Sequence, residues 1–361
     1  MADTFGGIKI SNLYKIFGVN PNAYVDAVKG GLSKTELNER HGHVLGLRDI
    51  NIDIPSGCIQ VIMGLSGSGK STLIRHINRL IDPTAGEVLV DGVDVVKMNT
   101  QDLRTFRRHQ TAMVFQKFAL LPHRNVLDNT LYGLEVQGMA RAQSVDIAMR
   151  WLERVGLKGF ETRFPNQLSG GMQQRVGLAR ALSNDAPVLL MDEAYSALDP
   201  LIRTDMQSVL LDIQKEIKKT IVFITHDLDE ALRLGDQIAI LRDGEVIQQG
   251  TSQDIVLRPA DDYIANFVKE VNRGRVINVE AVMSPINSNL RPGGPKILVG
   301  TSVEGAMRML SRSGEDDAAV IDLNGNIVGT VSFRQLARAI VNDNEMDDVA
   351  KEEPVKAFTR S

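Results

Sequence analysis

Three short stretches of this sequence combine residue types that handle phosphate and water. The first is Gly64-Leu65-Ser66-Gly67-Ser68-Gly69-Lys70-Ser71-Thr72, which fits G-x-x-x-x-G-K-[ST]. It follows the apolar run Ile59–Met63 and opens the helical run Thr72–Leu80. Glycines let successive backbone N–H groups curl inward onto phosphate oxygens, and the helix adds the positive end of its dipole. In that chemistry Lys70 reaches the β- and γ-phosphates of a nucleoside triphosphate, and the Ser71 hydroxyl ligates Mg2+. A Gly-rich turn that merely opens a helix is the alternative. A dinucleotide fingerprint does not fit, because Thr72 stands where a third small glycine belongs.

The second stretch is Val188-Leu189-Leu190-Met191-Asp192-Glu193, an apolar run ending in two acids. Open α/β sheets bind ligands at the carboxyl ends of their strands. There Asp192 would hold Mg2+, directly or through a water, and Glu193 would polarise a water for attack on the γ-phosphate. Solvated acids at a strand end are the alternative, and the upstream phosphate loop favours a site. The third stretch is Leu168-Ser169-Gly170-Gly171-Met172-Gln173-Gln174-Arg175. Ser169 suits an N-cap, and Gly170 and Gly171 bare the N–H groups of the first turn, which makes a second anion site. Each glycine costs a helix about 0.5–1 kcal/mol, so a plain capped helix has no use for two.

These stretches need a scaffold that brings strand ends together. Ile59–Met63, Ala112–Phe115, Val188–Met191, Ile221–Thr225 and Ile238–Leu241 include several continuous apolar runs. Strands buried on both faces of a parallel sheet read that way. They alternate with helical patterns up to about residue 275, so an α/β fold is expected. From about Asp128 to Asp185 the pattern is helical, and a helical subdomain over about 117–185 is expected inside the sheet domain. The pattern breaks at Asn272-Arg273-Gly274, Ser284-Pro285 and Arg291-Pro292-Gly293-Gly294-Pro295. The expected division is a first domain over 1–271, a linker over 272–296, a small α/β module over 297–342 and an acidic tail over 343–361. Within the module, Thr301 and Glu304 read as a capping box for a helix to about Ser313. Ala318–Leu323 and Ile327–Val331 read as strands joined at Asn324-Gly325, and Ser332 with Gln335 opens a second helix.

Composition narrows the field. The chain has 361 residues, 43% hydrophobic and 24% charged, which is globular composition and too long for one ordinary domain. A net charge of −4 and a pI near 5.9 argue against a general polyanion binder, so no nucleic-acid partner is expected. Cys58 is the single cysteine, so the chain cannot cross-link itself. No run of 18 apolar residues and no secretory signal is found, so a cytoplasmic location is expected.

Two anion sites in this order and spacing resemble the ATPase subunit of an ATP-binding-cassette (ABC) transporter, over essentially all of residues 1–275. The resemblance implies a P-loop cassette with a mostly parallel core sheet, an antiparallel β part and an inserted helical subdomain. It implies that Gly64, Leu65, Ser66, Gly67, Ser68, Gly69, Lys70, Ser71 and Thr72 bind ATP with Mg2+. Phe17 would stack on adenine, with Tyr14 as second candidate. Gln116 would touch Mg2+ and the attacking water and relay to a permease, and His226 would contact the γ-phosphate. Glu193, His226 and Gln116 form the implied catalytic group; Ser71, Gln116 and Asp192 form the implied metal group. Read alone, His226 is an ordinary hydrogen-bonded histidine and Gln116 a polar strand end. ATP would lie between the phosphate loop of one subunit and Ser169, Gly170, Gly171 and Gln173 of another, with Asp199 at the interface. A homodimer follows.

Within that family, three stretches resemble the glycine betaine/proline-type importers of compatible solutes. They are Asn12–Gly18 with the insert over about 18–46, Ala112–His123, and Asp192–Arg203, where Tyr195 replaces a usual Phe. The insert is amphipathic, with Ser33 and Glu36 as a capping box, and reads as a surface decoration. The C-terminal module, β-α-β-β-α, resembles a cystathionine-β-synthase-type (CBS) regulatory module, of which one motif can be traced. The resemblance implies an ATPase on the cytoplasmic face of the membrane, working with two permease subunits and, indirectly, a periplasmic or lipid-anchored binding protein. The solute would be glycine betaine, proline or a related quaternary amine. The alternatives are another importer class, a soluble or exporter cassette, and a nucleotide-sensing regulatory ABC protein.

Overall fold

Ile59–Met63 (β3) is buried at all five positions, Gln60 included. The reason is its place in the middle of a six-stranded sheet. Before it run β1 (Gly7–Phe17) and β2 (Val44–Pro55); after it come β4 (Ala85–Val90), β5 (Val93–Asp94), β6 (Thr111–Phe115), β7 (Val188–Asp192), β8 (Thr220–Thr225), β9 (Gln237–Arg242) and β10 (Glu245–Gly250). The six-stranded order is β10-β9-β3-β8-β7-β6, parallel except for the β9–β10 hairpin. In this computed structural model, residues 6–286 and 294–341 are described.

Register explains how the sites meet. Met63 lies opposite Thr225, Ile224 opposite Asp192, and Asp192 opposite Phe115. The carboxyl ends of β3, β8, β7 and β6 therefore share one edge, and the residues that follow them, 64, 226, 193 and 116, emerge side by side. A second, antiparallel sheet has the order β2-β1-β4-β5. Its Ile8, Ile10, Ile50, Ile52 and Ile54 share one core with Ile62, Val222 and Ile224 of the parallel sheet. Helix Lys70–Ile77 adds Leu73, Ile74 and Ile77, all fully buried, to that core. Each such side chain contributes about 1.5–3 kcal/mol of burial, enough to anchor the end of the phosphate loop.

The expected helical subdomain is present between β6 and β7 as helices Val126–Gln137, Arg141–Arg154 and Gly170–Ser183. The insert after β1 folds as a turn of 3-10 helix Pro21–Tyr24 and helices Val25–Lys29 and Lys34–His41. Its Ser33–Glu36 capping box is formed. It is more than decoration: Val25, Val28 and Leu37 build a small core with Tyr14, Ile16 and Leu45 of β1 and β2.

The chain divides into two compact units between Thr251 and Ser252, ahead of the expected 271/272 boundary. In the second unit β11 (Lys296–Leu298) pairs parallel with β12 (Asp317–Ile321), which pairs antiparallel with β13 (Ile327–Ser332). With helices Val303–Ser313 and Phe333–Ile340 this gives the expected β-α-β-β-α order. The stretch expected as linker differs. Ile277 and Val279 are fully buried in this unit's core beside Val303, Leu310 and Val320, so apolar anchors override the Gly and Pro punctuation around them. Residues 287–293 of that stretch, and the tail at 343–361, lie outside the described residues.

The helix cap also shifts. Ser302, not Thr301, caps Val303–Ser313, accepting from the Gly305 N–H at 3.2 Å. Thr301 spends its hydroxyl on the Leu298 carbonyl at 2.6 Å, and Glu304 pairs with Arg275 and Arg308. The hairpin loop spans 322–326: the Asp322 carboxylate accepts from the N–H groups of Asn324 (2.9 Å) and Asn326 (2.8 Å), which ends β12 at Ile321.

Candidate functional site

The phosphate loop turns where only glycine fits. A Cβ on Gly64 would lie 2.2 Å from the Leu241 carbonyl oxygen. The helix behind it starts at Lys70, two residues before the expected start, so Lys70 and Ser71 belong to its first turn. Lys70 is only 4% exposed and donates to the carbonyls of Gly64 (2.7 Å) and Leu65 (2.9 Å). Its ammonium also lies 4.0 Å from Glu193. Burial pulls the Lys70 pKa down, and Glu193 and Asp192 oppose that pull.

Asp192, buried at the end of β7, accepts from the Ser71 hydroxyl (2.8 Å) and from Arg75 (3.2 Å). Glu193 follows with φ 48°, a left-handed backbone that few residues adopt outside glycine. Its N–H donates to the Ile224 carbonyl at 3.2 Å, which holds the turn against β8. The turn sets its carboxylate among three groups. Gln116 Nε2 donates to it at 3.0 Å, Lys70 Nζ stands 4.0 Å away, and His226 Nδ1 stands 4.0 Å away. Gln116 also donates to the Ser196 hydroxyl (3.3 Å), which in turn donates to the Glu193 carbonyl (3.0 Å).

One connected group thus holds Lys70, Ser71, Asp192, Glu193, Gln116 and His226, drawn from four strand ends. Ser71, Asp192 and Gln116 offer hard oxygen donors, which suits Mg2+. Among the described residues no group of three or more His, Cys, Asp and Glu side chains is arranged to hold a metal ion by itself. A site with few protein oxygens fits an ion that leaves its other positions to phosphate and water.

Phe17 stands at the end of β1, 39% exposed, with Lys15 Nζ 5.0 Å from its ring centroid. A Cβ on Gly46 would lie 2.6 Å from the Phe17 ring, and one on Gly69 would lie 2.8 Å from the Gly46 carbonyl. The ring therefore borders the phosphate loop across Gly46. Tyr14 is 7% exposed in the insert core, so Phe17 is the aromatic open to a base. His43 holds the chain just beyond: its ring nitrogens lie 2.6 Å from the carbonyls of Val19 and His41.

The third motif stands apart. Ser169 caps helix Gly170–Ser183, accepting from the Met172 N–H at 3.3 Å, and Gln173 donates to the Leu168 carbonyl at 3.2 Å. Ser169 and Gly170 are exposed. No hydrogen bond or ion pair among the described residues joins this turn to the phosphate loop. Asp199 is exposed and caps helix Pro200–Ile217, accepting from the Ile202 N–H at 3.1 Å. A Cβ on Gly171 would lie 2.6 Å from the Ile202 side chain, so the two capped helix starts touch.

Sequence reasoning passed over Arg75 and Gly46, and took in Ser196 only within the stretch Asp192–Arg203 that carries the family resemblance. Arg75 carried a signal, since it lies four residues after Ser71 on one helix face. Gly46 carried none, and the bond of Ser196 to Gln116 carried none, because those partners come from distant strands.

This fold and site define a P-loop ATPase cassette. The ABC transporter family model matches residues 47–196. The glycine betaine/proline betaine transport system ATP-binding protein ProV of Escherichia coli (strain K12) is 44% identical over 348 residues, 96% of this chain and 86% of that protein. The glycine betaine transport ATP-binding protein OpuAA of Bacillus subtilis (strain 168) is 43% identical over 346 residues, 96% of this chain and 81% of that protein. A dimeric ATP-binding cassette solved in a post-hydrolysis state with ADP and Pi is 32% identical, with a TM-score of 0.58 over 68% of this chain and 98% of that one. The chain therefore belongs to the ATP-binding proteins of ABC transporters, a family of ATPases that work with transmembrane permeases. No described helix is long and apolar enough to cross a membrane.

Proposed function

We propose that this chain is the ATP-hydrolysing subunit of a membrane importer for glycine betaine, proline or a related quaternary amine. The observation that carries the solute class is the reach of the likeness. It extends over 96% of the chain, far past the 47–196 cassette match, and so takes in the C-terminal unit.

The chemistry proceeds from the residues just described. Phe17 stacks on the adenine, and the loop N–H groups from Gly64 to Thr72 receive the phosphates. Lys70 exchanges its carbonyl partners for β- and γ-phosphate oxygens. Mg2+ would neutralise charge on those phosphates, held by Ser71, Asp192 and the amide oxygen of Gln116. Glu193 takes the proton of the attacking water, with Gln116 fixing the carboxylate, Ser196 bracing Gln116, and His226 at the γ-phosphate. Ser169, Gly170, Gly171 and Gln173 complete the site of a second subunit, and Asp199 lies at that interface. The homodimer closes on ATP at the cytoplasmic face and drives alternating access in two permease subunits fed by a solute-binding protein. The second unit acts as a CBS-like regulatory or dimerising module.

Reconstitution with a permease and a solute-binding protein of this importer class tests this reading. ATP-dependent uptake of labelled glycine betaine or proline betaine into vesicles is expected. ATP hydrolysis stimulated by a different solute class, with no quaternary amine carried, would overturn the substrate assignment.

A further inference from the structure

Helix Gly170–Ser183 makes a second contact beyond its capped start. Gly170, Gly177 and Arg180 lie at i, i+7 and i+10, one stripe along the helix. That stripe faces the segment after β6. A Cβ on Gly170 would lie 3.7 Å from the ring of Phe118, and one on Gly177 would lie 3.6 Å from the Phe118 carbonyl oxygen. The half-buried Arg180 then donates from one Nη to the Phe118 carbonyl (3.1 Å) and from the other to the Ala119 carbonyl (2.7 Å).

Phe118 and Ala119 are consecutive non-glycine residues with left-handed backbones, φ 55° and 48°. Such conformations persist only where the surroundings hold them. The holding group here is a charged fork with two donors on two adjacent carbonyls, a strong and directional restraint. Two residues before Phe118 stands Gln116, on the Glu193 carboxylate. We propose that Arg180 is a positioning residue: it clamps the strained turn behind Gln116 to the helix that begins at Ser169. Any shift of the signature helix then moves Gln116 with it, so hydrolysis is competent only when both are seated. The inference rests on the role given to Gln116 above.

The test uses the full-length chain in its permease complex and compares Arg180→Ala, Arg180→Lys, Ala119→Gly with Arg180→Ala, and Gln116→Ala. Arg180→Ala is expected to lower kcat about 10- to 100-fold, as displaced catalytic groups do, with KM for ATP changed less than about twofold. Arg180→Lys, with one donor group in place of a fork, is expected to fall between. Adding Ala119→Gly is expected to restore part of kcat, because glycine takes the left-handed turn without a clamp. A merely structural arginine would not be rescued at that position. If Gln116→Ala leaves kcat unchanged, the role of Gln116 fails. If Gln116→Ala lowers kcat while Arg180→Ala does not, the clamp is overturned. Should Arg180→Ala not fold, Arg180→Lys decides: kcat and KM equal to the parent chain's would overturn the clamp, and a fall in kcat alone would support it.

Discussion

Glu193 owes its position to its backbone as much as to its side chain. The buried strand β7 must end, and the left-handed turn at Glu193 ends it while bonding back to Ile224 of β8. That turn puts the carboxylate between Gln116, Lys70 and His226. Glu193→Gln keeps the shape and removes the base. It is expected to bind ATP as the parent chain does and to hydrolyse it at least about 100-fold more slowly. Phosphate release by the purified complex measures this, and near-normal turnover would take Glu193 out of the reaction. Both acids were legible because an apolar run ended in them. The hydroxyl of Ser196, which braces Gln116 from a few residues further on, was legible only as part of a family resemblance.

At the scale of elements, helix Lys70–Ile77 links site and core. One end carries Lys70 and Ser71; the other buries His76 completely, with Nδ1 2.7 Å from the Thr72 carbonyl. Burial pushes the His76 pKa down to about 4, whereas an unfolded histidine takes its proton near pH 6.5. Between those values the unfolded chain binds the extra proton and the folded one does not, so stability falls as pH falls. Above about pH 6.5 both states are neutral and the contribution is constant. At about pH 5 the loss is about 2 kcal/mol, from about 1.4 kcal/mol per pH unit. Denaturant unfolding at pH 7 and at pH 5 is expected to show this fall in the parent chain and a smaller one in His76→Gln. An equal fall in both would assign the acid sensitivity to other groups.

At the scale of the whole molecule, the Ser169 turn and the phosphate loop are separate features of one chain. The capped turn at Ser169 is exposed, no hydrogen bond or ion pair among the described residues joins it to the phosphate loop, and a similar solved cassette is a dimer. Ser169→Arg and Lys70→Ala are each expected to abolish hydrolysis as homodimers. Mixed together they form heterodimers with one intact composite site, and partial ATPase activity is expected to return. No return of activity, with heterodimers demonstrated by cross-linking, would place both halves of the site in one subunit or make the two sites strictly cooperative.

The sequence by itself determined what can be read from contiguous residues. The phosphate loop needs its glycines, lysine and serine in a row. The paired acids need the strand before them, and the signature needs its cap and two glycines. Each is a local constraint on a few neighbouring peptides, and the strand, helix start or cap that each implies is formed, as are the Ser33 and Ser332 capping boxes. Tertiary structure decided what depends on residues far apart meeting. Strand order and register put residues 64, 116, 193 and 226 at one edge, and no local pattern encodes that order. Phe17 was separated from Tyr14 by burial in the insert core, which takes both faces of a contact to define. The unit boundary falls at Thr251/Ser252 because Leu257, as well as Ile277 and Val279, packs against the core of the strands and helices that follow. Glycine and proline mark where a chain can bend; only packing decides which of those bends separates two cores.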